Sequence, residues 1–505
     1  MLPRLPNDIQ KNRREIVELR GVNYTDCFQD GDLAACKNLS ARRWPFLSAR
    51  RAREHLTALD GSTALTAWEK LVVVRGTKLL YDGQEVGTVT TGEKQFAVVN
   101  TRLVIWPDKV YLDLQSKTVK PLGASVSGTG AVFTANSVTL SGCSGAFKAG
   151  DTVSIEGCSI AVNNKSVYVK GVSGNKLTVP DNAFTAGTSS TAVTVARNIP
   201  DLDFICESEN RLWGCSNDKR TIYASALGDP SNFFTYEGLS TDSYAVAVGS
   251  EGEFTGCCKL SGGVLFWKEH TLHKLLGSYP AEYALYTYSV EGLKKGCHKS
   301  LQVVNEVLYY LGAGGVYAYT GGSPQRISPG FDGLTLENGT AGCDGERYFL
   351  SAKRGQEWNL FVLDLTKNLW LREDGTRCMD FARLGSDLYF LTDTGQVFRA
   401  DAGTEDKNVE WEAQFTPFYE TLQGRKRYSR LILRLELSRG AWVRAEMRCD
   451  GGRWQTCAQW SGGEYDTVCA VLPIRRCDKF ELRLTGKGPC AVLGISREFS
   501  AGSER

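Results

Sequence analysis

The chain is 505 residues long, 42% hydrophobic and 23% charged, which is more than one ordinary core needs and too apolar for a disordered polymer. Its 59 basic and 57 acidic residues leave a net charge of +2, which excludes a global field built to attract nucleic acid or a membrane surface; any basic surface has to be local. An aromatic share of 10% and 53 glycines favour many short strands joined by tight turns.

Residues 1–65 differ in pattern from the rest of the chain. The opening Met1-Leu2-Pro3-Arg4-Leu5-Pro6 has no apolar core of signal-peptide length behind it, and no run approaches the roughly 18 apolar residues of a membrane span. Synthesis and folding in a cytoplasm are therefore expected. Residues 7–20 (NDIQKNRREIVELR) fit a short helix, or an arm that orders only on a partner. Residues 21–54 carry charges and turn formers and read as an extended segment lying over another surface. Arg42, Arg43, Arg50, Arg51 and Arg53 crowd into twelve residues. They form either a solvated or inter-subunit charge patch or, since arginine suits the geometry, a surface facing phosphate.

Residues 66–121 hold two β units. In the first, Leu71-Val72-Val73-Val74 turns at Arg75-Gly76 into Leu79-Leu80-Tyr81, and the hairpin pair Asp82-Gly83 leads on to Val86. The second comprises Phe96 to Val99, Leu103 to Trp106 and Val110 to Leu114. At residue 122 aromatics nearly vanish, and Ser, Thr, Gly, Ala and Val dominate until 198. Alternation at 147–155 and 177–179, with turns at Asn163-Asn164-Lys165 and Gly174-Asn175-Lys176, predicts a small β-barrel or sandwich inserted between repeats; a low-complexity linker is the competing reading.

The aromatic pattern resumes over 199–412 in five units, starting near Leu202, Cys258, Leu301, Thr340 and Met379. Each is an apolar-aromatic run, a tight turn and a second run with Tyr or Phe. Leu308-Tyr309-Tyr310-Leu311, followed by Gly312, Gly314 and Gly315 and then Val316-Tyr317-Ala318-Tyr319, is the clearest case. A spacing of about 35–45 residues matches four-stranded blades, so the body is expected to be an all-β β-propeller of six or seven blades. Residues 413–505 change again. Clean alternation at 428–437 (YSRLILRLEL) and 442–447 predicts a C-terminal antiparallel β-sandwich of jelly-roll type. Arg430, Arg434, Arg444 and Arg448 occupy its polar positions, as a solvated sheet face or for a ligand.

Chemistry is hard to find. The sixteen cysteines are scattered without a CxxC pair; Cys257-Cys258 are adjacent and Cys297-His298 is the one close Cys/His pairing. Buried reduced thiols are expected, and no metal or cofactor. His270 and His273, three apart, would point to opposite faces of a strand. There is no GxSxG elbow, P-loop, HExxH or EF-hand loop, and Thr392-Asp393-Thr394-Gly395 is an isolated approach to the Asp-box of sialidase blades. No enzyme is expected.

Two strings carry a resemblance. Residues 21–42, from Gly21-Val22-Asn23-Tyr24 to Asn38-Leu39-Ser40-Ala41-Arg42, resemble the entry arm of tail nozzle proteins of short-tailed, podovirus-like bacteriophages. Residues 221–233 (TIYASALGDPSNF) resemble a blade edge of the same proteins, with further echoes at Phe266-Trp267-Lys268-Glu269, 299–319 and 428–437. The likeness spreads over most of the chain except the 122–198 insert. It implies a structural virion protein made in the bacterial cytoplasm. Such a protein forms a ring, typically hexameric, at the distal tail channel, retaining packaged double-stranded DNA without sequence specificity and opening for its ejection. The implied partners are further copies, the portal adaptor and other tail proteins, with tail fibres or spikes also open, and the five arginines would then serve assembly. The second expectation is a carbohydrate-binding, lectin-like propeller for host-surface recognition, with Trp213 or Trp267 as sugar platforms or, alternatively, as blade core.

Overall fold

The computed structural model describes residues 11–420, 424–463, 467–473 and 476–501. Residues 1–6, and 7–10 of the segment expected as helix or arm, lie outside the described residues.

Among the described residues the propeller has seven blades, each a four-stranded antiparallel sheet: 62–88, 95–121, 204–247, 256–289, 302–326, 336–374 and 378–399, the last completed by Glu54–His55. Turn chemistry sets the local geometry. Asp82 and Gly83 both take positive φ (+53° and +75°) and join Lys78–Tyr81 to Gln84–Thr88 in the two-residue turn whose twist matches paired strands. In blade 5, Val307–Gly312 pairs with Gly315–Tyr319, Leu308 opposite Tyr319 and Tyr310 opposite Tyr317. Leu308, Tyr310 and Val316 are buried between blades, which is why the aromatic-aliphatic run recurs. Four tryptophans, Trp106, Trp213, Trp267 and Trp411, are at most 2% exposed and anchor the packing.

The insert occupies 124–197 as a four-stranded and a five-stranded sheet around its own core of Phe133, Val153, Leu177 and Val195. Ala124 and Arg197 are partners in one antiparallel pair, so the insert leaves and re-enters the propeller at a single point.

The C-terminal sandwich is organised by one strand of 24 residues, Lys426–Cys449. Its first half pairs with Cys490–Ala501 and its second with Phe480–Lys487, so one strand serves both layers. Leu431, Leu433 and Leu435, then Val443, Ala445 and Met447, alternate into the core.

Residues 11–65 form neither the expected helix nor a free arm. Lys11–Ile16 is a strand, antiparallel to Cys490–Ala501 with Lys11 opposite Ser500 and Ile16 opposite Ile495. Only Ile16 of its six residues is buried; a sheet edge satisfies the backbone of so polar a segment, whereas a helix would need a continuous apolar face. Asp32–Lys37 pairs with Glu410–Phe415, and Leu47–Ala49 with Cys490–Ala501. Both ends of the described chain therefore belong to one sandwich, whose core of Leu33, Leu39, Leu431 and Phe415 runs on into Trp370, Phe361 and Tyr348 of blade 6. Gly21 sits at this seam with φ +87°, where a Cβ would lie 2.4 Å from the Trp370 carbonyl oxygen. Among the described residues, helical structure is confined to three-residue 3-10 turns, and no helix is long and apolar enough to cross a membrane.

Candidate functional site

The first strand of every blade contributes to one central cavity of about 410 Å³. Thr66, Phe96, Phe204, Cys258, Gln302, Thr340 and Phe381 mark its wall, one from each blade. That volume suits a small molecule.

At one side of the cavity four ionisable side chains from three blades meet. Lys299, in the turn His298–Ser300 before blade 5, places Nζ 2.5 Å from Asp380 Oδ1 of blade 7 and 3.0 Å from Glu93 Oε1 at the entry to blade 2. The same ammonium donates to the Met379 carbonyl oxygen at 3.2 Å. Asp380 Oδ2 accepts the backbone N–H of Leu65, in blade 1, at 3.0 Å. His298 Nε2 is 3.5 Å from Glu93 Oε1, too long for a hydrogen bond, and its ring packs on Phe204 with centroids 5.2 Å apart.

Burial shapes the electrostatics. It pushes the Asp380 carboxyl up to about 6, only partly countered by Lys299. Burial also holds His298 down to about 4, although Glu93 pulls the other way. For Lys299 the burial penalty is outweighed by Asp380 and Glu93, and its pKa is raised. Glu93, where burial is overcome by Lys299, is lowered. Nearby, Lys94 is only 2% exposed and places Nζ 2.6 Å from Asp108 Oδ2, joining the strand entry to the turn of the same blade.

Other chemistry-bearing residues do not converge. Among the described residues, no three of His, Cys, Asp and Glu are placed to hold a metal ion, and none of the sixteen cysteines is in a disulfide bond. Cys206, Cys257 and Cys258 line the cavity, and burial raises the Cys257 and Cys258 thiols far above the reactive range. His273 is 1% exposed between Ser250 Oγ and Thr287 Oγ1, while His270 is exposed. Trp213 and Trp267 are 2% and 0% exposed, so both are blade core and neither is a sugar platform.

All five arginines of the N-terminal segment find carboxylates inside the chain. Arg53 meets Glu373 at 2.6 Å and Asp374 at 2.8 Å on blade 6. Arg42 pairs with Glu405 at 2.8 Å, Arg50 lies 3.7 Å from Asp406 and Arg51 lies 3.9 Å from Asp401, all on the link from propeller to sandwich. Arg43 pairs with Glu436 of the sandwich. On the sandwich itself Arg448 makes a two-pronged contact with Glu481, and Arg444 contacts Gln459.

Residues 225–242 form a joint between modules. Asp229 meets Arg102 of blade 2 at 3.1 Å and Lys148 of the insert at 2.6 Å. Asn232 Nδ2 donates to the Gly150 carbonyl oxygen of the insert at 2.7 Å. Arg211, 1% exposed, pins the loop from below by donating to the carbonyl oxygens of Ser225, Ser240 and Asp242. Sequence reasoning marked this loop but missed the Glu93–Lys299–Asp380 cluster. Its members lie far apart in the chain and carry no shared motif; only the circular order of the blades brings them together.

No family model matches the chain, and no curated protein matches it. Several solved structures are similar to it. The exo-β-1,3-galactanase of Phanerochaete chrysosporium, bound to galactose, aligns at 10% identity over 57% of this chain and 92% of its own, with a TM-score of 0.23. Hsv2 of Kluyveromyces lactis aligns at 10% identity over 59% of this chain and 69% of its own, with a TM-score of 0.30. PorZ of the Porphyromonas gingivalis type-IX secretion system aligns at 9% identity over 82% and 71%, with a TM-score of 0.29. Superpositions this loose carry no argument about what the chain does.

Proposed function

We propose that the chain is a structural subunit of a short-tailed phage, of the tail-nozzle type, which assembles with further copies into a ring at the distal end of the tail. The observation that supports this reading is how the nozzle-like strings use their side chains. Asp229, in the Gly228-Asp229-Pro230 turn, ties a propeller blade to the insert. Asn23 and Asp32 of the arm hydrogen-bond each other at 2.9 Å where the N-terminal segment packs on blade 6. Both strings fasten modules together, as a subunit under mechanical load requires.

The size of the cavity bears on where DNA would pass in such an assembly. A cavity of about 410 Å³ holds a small molecule, so a duplex runs between copies of the chain and not through one propeller. A near-neutral charge suits such a path, because dense cationic contacts would slow a moving phosphate backbone. The test is density-gradient separation of particles from a producing culture, with each fraction probed for this chain by mass spectrometry. Recovery with DNA-filled particles, at a few copies relative to the major capsid protein, is the expected result. Recovery only as free protein would overturn the structural role.

A further inference from the structure

We propose that Lys299 and Asp380 form an intramolecular isopeptide bond, with Glu93 as the proton carrier, covalently joining the turn before blade 5 to blade 7 at one side of the central cavity. The three groups already stand in reacting order. The nucleophilic nitrogen is 2.5 Å from one oxygen of the acceptor carboxyl, and the second carboxylate touches the same nitrogen at 3.0 Å. The Lys299 and Asp380 side chains are 16% and 9% exposed, so both are largely withdrawn from water, while the Glu93 side chain is 55% exposed and open to exchange its proton. Fixing two reactants this way is equivalent to concentrations of about 10⁵ M or more, enough to drive a condensation that is unfavourable between free molecules in water.

Each oxygen of Asp380 has a role set by its partner. Oδ2 accepts the Leu65 N–H at 3.0 Å, which holds it as the carbonyl oxygen and stabilises charge developing on it during attack. Oδ1, facing the ammonium, is the oxygen that receives protons and departs. A proton moves from Lys299 Nζ to Oδ1, leaving an amine and a carboxylic acid; burial works against both charged forms, although at Lys299 the two neighbouring carboxylates outweigh it. The nitrogen lone pair then attacks Cγ and the C–N bond forms. The proton this releases passes to the Glu93 carboxylate and on to Oδ1, and the C–Oδ1 bond breaks as water leaves into the cavity. One ammonium and one carboxylate become one amide and one water, with no change in net charge. Glu93 is regenerated, and no oxidant or outside base is consumed. The upward direction of the Asp380 pKa eases movement of a proton onto its carboxyl, while the raised Lys299 pKa opposes the proton's departure from nitrogen.

The bond is read directly by mass. The purified full chain is expected to be lighter than its sequence by one water, and its tryptic digest should contain one branched peptide joining Lys299 to Asp380. Glu93→Gln should restore the full mass in a chain that is still folded by circular dichroism. Asp380→Asn should lose ammonia in place of water at the same linkage. A wild-type chain at full mass, with both linear peptides recovered, overturns the proposal without recourse to any variant. Water loss mapped to other residues does the same, and an intact cross-link in Glu93→Gln overturns the role of Glu93.

Discussion

His55 stacks on Phe398 with ring centroids 4.7 Å apart, and the two residues are direct partners in the antiparallel pair that closes blade 7. A strand of two residues, Glu54–His55, thus completes a sheet otherwise built from 378–399, and Arg399 adds an ion pair to Glu54 at 2.9 Å. Phe398→Ala should cost about 1–2 kcal/mol, less than the ~3–5 kcal/mol of a fully buried Phe because the ring is half-exposed. Urea unfolding of the variant against wild type measures it.

The five arginines should separate by burial. Arg53, 12% exposed and held by two carboxylates, should cost about 3–5 kcal/mol when changed to alanine, since Glu373 would be left buried and unpaired. Arg43→Ala should cost no more than about 1 kcal/mol, its guanidinium being 41% exposed. Equal losses from the two variants would contradict these intrachain roles.

The insert should be removable. Because Ala124 and Arg197 face each other in one strand pair, replacing 124–197 by a short Gly-Ser turn should leave the propeller cooperative in thermal unfolding. Asp229→Ala in the intact chain should instead free the insert from blade 2. Limited proteolysis at 198–203 should then speed up while the midpoint of propeller unfolding moves little.

Acid should weaken the protein between pH 6.5 and 4. Burial holds both His273 and His298 at about 4, below the 6.5 of an unfolded histidine. The unfolded chain therefore binds more protons across this window, and stability falls as pH falls, by up to about 3 kcal/mol for the well-buried His273. In a chain whose Asp380 carboxyl is still free, before any bond to Lys299 forms, that carboxyl acts in the opposite sense. Raised to about 6, its contribution is full below 3.8 and is lost as pH rises through 6. Urea midpoints from pH 7 to 4 should decline, and His273→Gln should flatten the decline.

The repeat was legible because it is local. Leu308 to Tyr319 contains its own turn and its own alternation, and Asp82-Gly83 declares a hairpin in two residues. The change of composition at 122 reflects a unit with a separate small-residue core, beginning at Ala124. The features that stayed hidden depend on distant partners. Lys11–Ile16 has no alternation to read, since five of its six residues are exposed, and its partner is the last described strand of the chain. Glu93, Lys299 and Asp380 are ordinary charged residues until seven blades close into a circle.

Weaving residues 11–55 into two sheets, the sandwich and blade 7, with residues 397–501 has a consequence for biosynthesis. During translation Lys11–Ile16 and Asp32–Lys37 have no antiparallel partner strands until residues 410–501 have left the ribosome, and blade 7 cannot receive Glu54–His55 until 378–399 have. Blades 1 to 6 are able to form in sequence, the ring seam closes when 378–399 meets Glu54–His55, and the sandwich closes last. A chain truncated before its last strands is left with an unfinished sandwich and an unpaired basic strand at Lys11–Ile16.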